Sequence, residues 1–184
     1  ANGEEVLITR HGKAVARLEE GTRRRAGGEE VGGGYFESHG REGTEARLGD
    51  LEVIPRRRLP YRDRDWEEMD TEAILARRPE VVLVDELAHT NMHGAEREKR
   101  WEDVEVLLDA GITVLATLNI QHVESLNDKI AQITGVRVAE TIPDRVLDQA
   151  DELVVVDVSP ATLRDRLERG QIYPPERAKN ALTH

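Results

Sequence analysis

Three short, mostly apolar runs constrain this chain more than any other feature: Val81–Val84, Ile112–Leu118 and Leu153–Val158. Runs of this length without polar alternation read as strands covered on both faces, the mark of a parallel sheet. Helical stripes lie between them. Trp101, Val104 and Leu108 recur at i, i+3, i+7, with Gly111 as the stop, and Val123, Leu126, Ile130 and Ile133 repeat the pattern before Gly135. Strands alternating with helices predict βαβ units: an α/β fold with a mainly parallel sheet and helices on both faces. Ligands of such sheets bind at the carboxyl ends of the strands, so the residues just after each run carry the functional question.

The remaining segments are weaker. Val6–Thr9 is a short β-branched run, and a polar helical stretch follows around Val15–Arg25. Tyr35–Ser38 reads as a strand weakened upstream by Gly32, Gly33 and Gly34. Leu51–Ile54 reads as another, stopped by Pro55. Asp70 is placed to cap a helix through Arg78, which Pro79 ends. Ser159-Pro160 starts a helix that Gly170 stops, and Pro174-Pro175 open a last one. Aromatics are only 3%, so the core has to be aliphatic.

Charge and composition exclude several classes. A net charge of −11 argues against a dedicated nucleic-acid binder, which needs a positive face. The runs Arg23–Arg25 and Arg56–Arg58 are local exceptions, either solvated surface or an anion site. There is no cysteine, which removes disulfides and thiolate metal sites and fits a reducing, cytoplasmic setting. No apolar run approaches the roughly 18 residues of a membrane helix, and no signal peptide is visible.

The densest chemical signal is Val81-Val82-Leu83-Val84-Asp85-Glu86, four apolar residues and two acids. This is the Walker B pattern. A buried strand delivers Asp85 rigidly to the sheet edge, where it holds Mg²⁺ through water, and Glu86 is placed to orient an attacking water. The alternative is a strand ending in solvated acids; the polar cluster Leu87-Ala88-His89-Thr90-Asn91 favours a site. A second cluster, Thr117-Leu118-Asn119-Ile120-Gln121-His122, follows the next strand. Asn119 and His122 are placed to meet a phosphate, with structural hydrogen bonding as the alternative for His122. His89 and His93 lack the HExxH or Cys/His framework of a zinc site. Gly12-Lys13 is the remnant of a phosphate loop in which Leu7 holds the leading glycine position and Ala14 the hydroxyl position. The alternative there is a hairpin turn joining Val6–Arg10 to Ala14–Leu18.

Together these motifs resemble the KdpD family of potassium-sensing histidine kinases, in their N-terminal cytoplasmic sensor domain. The resemblance rests on Val84–Asn91, Arg100-Trp101-Glu102-Asp103-Val104 and Leu118–Asp128, with Gly34–Arg41, Leu51–Arg57 and Thr134–Val138 in the same order. It runs from about Leu18 to His184. It implies a P-loop NTPase-like fold that binds ATP and Mg²⁺, with Lys13 in the Walker A lysine place and Asp85 and Glu86 in the Walker B place. It also implies a partner: the remainder of a membrane sensor kinase, which carries the phosphoacceptor histidine and kinase domain that this chain lacks. Histidine kinase activity is therefore not expected, and ATPase activity is expected to be weak at most. The family domain is expected to continue past His184.

The first 18 residues depart from that pattern. Gly3–Leu18 resembles instead the β-hairpin of Phd/YefM-type antitoxins, a reading in which Lys13 binds no nucleotide and the partner is a toxin protein. The expected organisation is thus an atypical segment over 1–18 and a KdpD-like α/β domain over 19–184, with an impaired nucleotide site. The alternative is a fusion or designed antitoxin-like protein.

Overall fold

A computed structural model describes residues 5–9, 31–35, 51–61, 64–156 and 159–169. The strands are β1 (Glu5–Thr9), β2 (Val31–Tyr35), β3 (Glu52–Val53), β4 (Arg57–Tyr61), β5 (Arg64–Glu68), β6 (Val81–Val84), β7 (Thr113–Asn119) and β8 (Glu152–Val156). The helices are α1 (Thr71–Arg77), α2 (Arg100–Asp109), α3 (Glu124–Thr134), α4 (Asp144–Asp148) and α5 (Pro160–Glu168). A 3-10 turn, Ile120–His122, follows β7.

Six strands form one sheet in the order β3-β2-β6-β7-β1-β8, and β4 and β5 form a separate two-stranded ladder. β3, β2, β6 and β7 are mutually parallel. β1 runs antiparallel to both β7 and β8, which gives β8 the same direction as β7. The sheet is therefore mainly parallel, as the alternation of elements predicts, with β1 reversed inside it. β1 pairs on both sides over Glu5–Thr9, and Ala14–Leu18, the other arm of the hairpin read from the sequence, lies outside the described residues.

β6 shows why the sheet has a core. Its four residues are all buried and alternate in direction. Val82 and Val84 join Ile74 of α1, Trp101, Val104 and Leu107 of α2, and Val114, Ala116 and Leu118 of β7. Val81 and Leu83 face the other way with Leu115 and half-buried Leu51. α1 begins as the sequence predicts: the Asp70 carboxylate accepts the Ala73 amide at 2.9 Å. Arg78 ends it in a left-handed conformation just before Pro79. α3 ends on Gly135, whose φ of +72° suits a residue without Cβ.

Two expectations need correction, and one element was not expected. The second strand takes in Val31–Tyr35, so the three glycines lie inside it instead of upstream, and Phe36–Ser38 lie outside the described residues. Gly34 belongs there because of close packing: a Cβ on it would stand 2.7 Å from Val82 Cγ2. The third apolar run does form a strand, but Leu153, Val154 and Val155 are 49%, 37% and 62% exposed instead of buried. β8 is the outermost strand of the sheet, and a strand is buried on both faces only where elements cover both. The β4–β5 ladder went unread because its residues carry charge rather than apolar alternation. Arg58 faces Glu67 across it, with their side chains 3.4 Å apart. The helices expected at Val15–Arg25 and after Pro174 lie outside the described residues.

Candidate functional site

The carboxyl ends of β2, β6 and β7 meet at Asp85. The Asp85 amide donates to the Tyr35 carbonyl at 2.9 Å, which fixes the chain as it leaves β6. The Thr117 hydroxyl of β7 donates to Asp85 Oδ1. The Glu86 amide donates to the same oxygen at 3.1 Å and lies 3.2 Å from Thr117 Oγ1, while the Leu87 amide donates to the Thr117 carbonyl at 2.9 Å. These bonds hold Glu86 at φ +53°, a left-handed conformation that costs a residue with a Cβ of order 1 kcal/mol. The acids thus sit on a tight, strained turn rather than on a fraying strand end. Among the described residues no cluster of three His, Cys, Asp or Glu is placed to hold a metal. A single carboxylate offers a hard cation at most two oxygen ligands, so an ion held here would take the rest from water or a bound ligand.

Behind this turn lies a buried charged network. Arg100, the first residue of α2, is fully buried. Its Nη1 donates to the Asp85 carbonyl at 3.1 Å and approaches the Glu86 carbonyl at 3.4 Å, and its Nη2 reaches Glu68 Oε2 at 3.3 Å. Its guanidinium lies 3.7 Å from the centre of the Tyr35 ring. Glu68, at the end of β5, also takes His89 Nε2 at 3.1 Å and the Met92 amide at 2.9 Å. Burial raises the Glu68 pKa, but His89, the Met92 amide and Arg100 outweigh it, and the net shift is downward. Asp103, a second buried carboxylate, accepts from Thr71 Oγ1, Asn91 Nδ2 and Arg97 Nη1 at 3.0, 2.6 and 2.9 Å. The loop between β6 and α2 is therefore pinned from inside at both ends of its polar cluster.

The residues predicted from sequence separate into three sets. Asp85 and Glu86 come together with Thr117. Asn119 stands two residues beyond Thr117 on β7 and shares its face. The Nδ1 of His122 pairs with the Glu140 carbonyl at 2.8 Å, and its own carbonyl accepts the Ile142 amide at 2.8 Å. Likewise His89 serves Glu68, and the His93 ring meets Tyr61 edge to face, so the two histidines have separate partners. Gly12 and Lys13 lie outside the described residues. The strand that precedes them has Glu5 opposite Asn119 and Ile8 opposite Ala116, so it runs toward the amino edge of the parallel strands, away from Asp85. Sequence reasoning missed the parts played by Thr117, Arg100, Glu68 and Tyr35. A hydroxyl at the head of a polar cluster was the one signal for Thr117, and no local signal marks the others.

The chain matches the family model for the KdpD osmosensitive K+ channel His kinase sensor domain over residues 7–184. The match begins within the stretch that resembles an antitoxin hairpin. A KdpD-type sensor protein of Synechocystis sp. is 54% identical across 93% of this chain, which covers 46% of that relative. Sensor protein KdpD of Escherichia coli strain K12 is 48% identical across 94% of the chain, covering 19% of the relative. Sensor protein KdpD of Mycobacterium tuberculosis strain CDC 1551 is 49% identical across 94%, covering 20%. The chain therefore spans less than half of the first relative and about a fifth of the other two. With a family match over almost its whole length and relatives at this identity, the chain belongs to the KdpD sensor-domain family.

Proposed function

We propose that this chain is the regulatory, cytoplasmic domain of a potassium-responsive sensor kinase, and that its Mg²⁺-ATP site at the β2-β6-β7 edge is weakened. In this reading Asp85 is the carboxylate that holds Mg²⁺ through water and Glu86 orients water. Asn119 lies at the phosphate side, His122 supports the edge from behind, and Gly12 and Lys13 are the sequence remnant of the phosphate loop. The remainder of the membrane sensor kinase is the partner. Among the described residues no helix is long and apolar enough to cross a membrane.

The observation that carries the reading is the Asp85 turn, set at the carboxyl edge of three neighbouring parallel strands. The direction of β1 supports the weakening. A phosphate loop leaves the carboxyl end of a strand parallel to Walker B and wraps phosphate in its backbone N–H groups. β1 is antiparallel, and Leu7 and Ala14 replace the leading glycine and the hydroxyl.

Titration calorimetry with Mg²⁺-ATP tests this, on the chain and on Lys13→Ala and Asp85→Asn. The expected result is no measurable binding, or a Kd near or above about 1 mM, equivalent to roughly −4 kcal/mol. Low-micromolar binding lost in Lys13→Ala would overturn the weakening and assign a working phosphate loop. Such binding unchanged in Asp85→Asn would remove the acid from the site.

A further inference from the structure

We propose that Arg100 is a positioning residue: it holds the Asp85–Glu86 turn in its strained conformation and ties it to the end of the β4–β5 ladder through Glu68. A fully buried guanidinium is an expensive way to fill a core, and an apolar side chain of similar size does so more cheaply. Here the cost is greater still, because Arg100 Nε is buried without a hydrogen-bond partner among the described residues. What the guanidinium obtains in return is placement. Its Nη1 faces the carbonyls of both Asp85 and Glu86, its Nη2 faces Glu68, and its plane lies against Tyr35, whose carbonyl anchors the Asp85 amide. A planar fork can serve these directions together, and a lysine ammonium on a flexible stem cannot.

Glu86 shows why the turn needs such a hold. Its φ of +53° is a conformation that persists only where the surroundings over-determine it. On one side, its amide is fixed by Asp85 Oδ1 and Thr117 Oγ1; on the other, its carbonyl is faced by Arg100. Removing Arg100 takes the guanidinium from the Asp85 carbonyl and leaves the Glu86 carbonyl to the His89 amide, which donates to it at 3.0 Å. Glu68 extends the restraint, since the same carboxylate takes His89 Nε2 and the Met92 amide in the loop beyond the turn. The end of β5 and the acids thus share one buried side chain.

This inference rests on reading Asp85 and Glu86 as the pair that holds metal and water. Its test uses no ligand, so a failure of ATP binding leaves it standing. Amide hydrogen exchange is followed by NMR on the ligand-free chain and on Arg100→Lys. The expected result is a loss of protection of at least about tenfold at Glu86, Leu87 and His89, with Val82, Val114 and Leu115 unchanged, because local opening is separable from global unfolding. Acceleration shared equally by β6 and β7 would mean that Arg100 merely stabilises the fold, and unchanged protection at Glu86 and Leu87 would mean that it holds nothing; either overturns the proposal. Should Arg100→Lys fail to fold, Glu68→Gln keeps the shape and removes the ionic tether. It is expected to loosen the same three amides, and no loosening there counts against the proposal in the same way.

Discussion

The two outer glycines of the Gly32-Gly33-Gly34 run in β2 should respond to the same substitution with opposite sign. At Gly34 an added Cβ meets Val82 Cγ2 at 2.7 Å, Ile74 Cδ1 at 3.1 Å and the Leu83 carbonyl oxygen at 3.2 Å. Ordinary carbon–carbon contacts sit near 3.5–4.0 Å, so the first is short by about 1 Å, and one of the three neighbours is backbone that cannot rotate away. Overpacking of this kind costs about 1–3 kcal/mol, and the upper half applies because two buried side chains and a strand must all shift. Replacing glycine in a strand returns about 0.5–1 kcal/mol. The net for Gly34→Ala is a loss of about 2 kcal/mol, or about 4–8 °C in Tm for a chain of this size. At Gly32 the nearest atoms are Pro79 Cβ at 3.4 Å, Pro79 Cγ at 3.5 Å and Ile54 Cδ1 at 3.9 Å, all ordinary contacts. Gly32→Ala should therefore gain about 0.5–1 kcal/mol, raising Tm by roughly 1–4 °C. Thermal unfolding followed by circular dichroism, with urea midpoints as a second axis, separates the two. A Gly34→Ala protein as stable as the parent would refute the packing of β2 on Val82 and Ile74. Since the next residue is Tyr35, it would also unsettle the anchor of the Asp85 turn.

Three further outcomes follow from the same structure. The Glu68 pKa is lowered in the fold, so its ionised form contributes stability that is complete above the usual value of 4.5 and is lost as pH falls through the lower folded value. Acid unfolding should be shallower below that pH in Glu68→Gln, and an unchanged acid limb would remove Glu68 from the account. Thr117→Val keeps the shape of the side chain but takes the hydroxyl from Asp85, and it should cost about 1–3 kcal/mol by urea unfolding. Asp70→Ala removes the cap on the Ala73 amide and should cost about 1 kcal/mol in the same assay.

How far the fold was legible depends on whether its determinants are local. Val81–Val84 read correctly because a strand covered on both faces needs nothing but apolar residues, and all four are buried. The α1 boundaries read correctly because a cap and a proline act within one turn. Leu153–Val155 misled because composition reports what a strand could bury, whereas its place at the end of the sheet decides what it does bury. The glycines of β2 read as weakness because their use, an approach to Val82, is made across the sheet. The site divides in the same way. Asp85 and Glu86 announce themselves beside their strand, but the groups that hold them come from afar: Thr117 from β7, Arg100 from α2 and Glu68 from β5. Arg100 in particular looks like any charged residue at a helix start until its burial is known.

The direction of β1 and the missing residue types are two separable causes for the proposed weakening. If chemistry alone were lacking, the double variant Leu7→Gly, Ala14→Ser would restore the leading glycine and the hydroxyl and with them Mg²⁺-ATP affinity. If direction is the obstacle, those residues change nothing, because β1 carries the chain toward the edge opposite Asp85. The register makes the geometry explicit: Glu5, at the start of β1, stands level with Asn119 at the carboxyl end of β7, and Thr9, at its far end, faces Glu152 at the start of β8. A loop departing after Thr9 thus begins on the side where the parallel strands start. The expected outcome of calorimetry on the double variant is no gain in affinity. A rise to a low-micromolar Kd would refute the argument from direction. It would show instead that the segment around Gly12 and Lys13 reaches the Asp85 edge once glycine and hydroxyl are present.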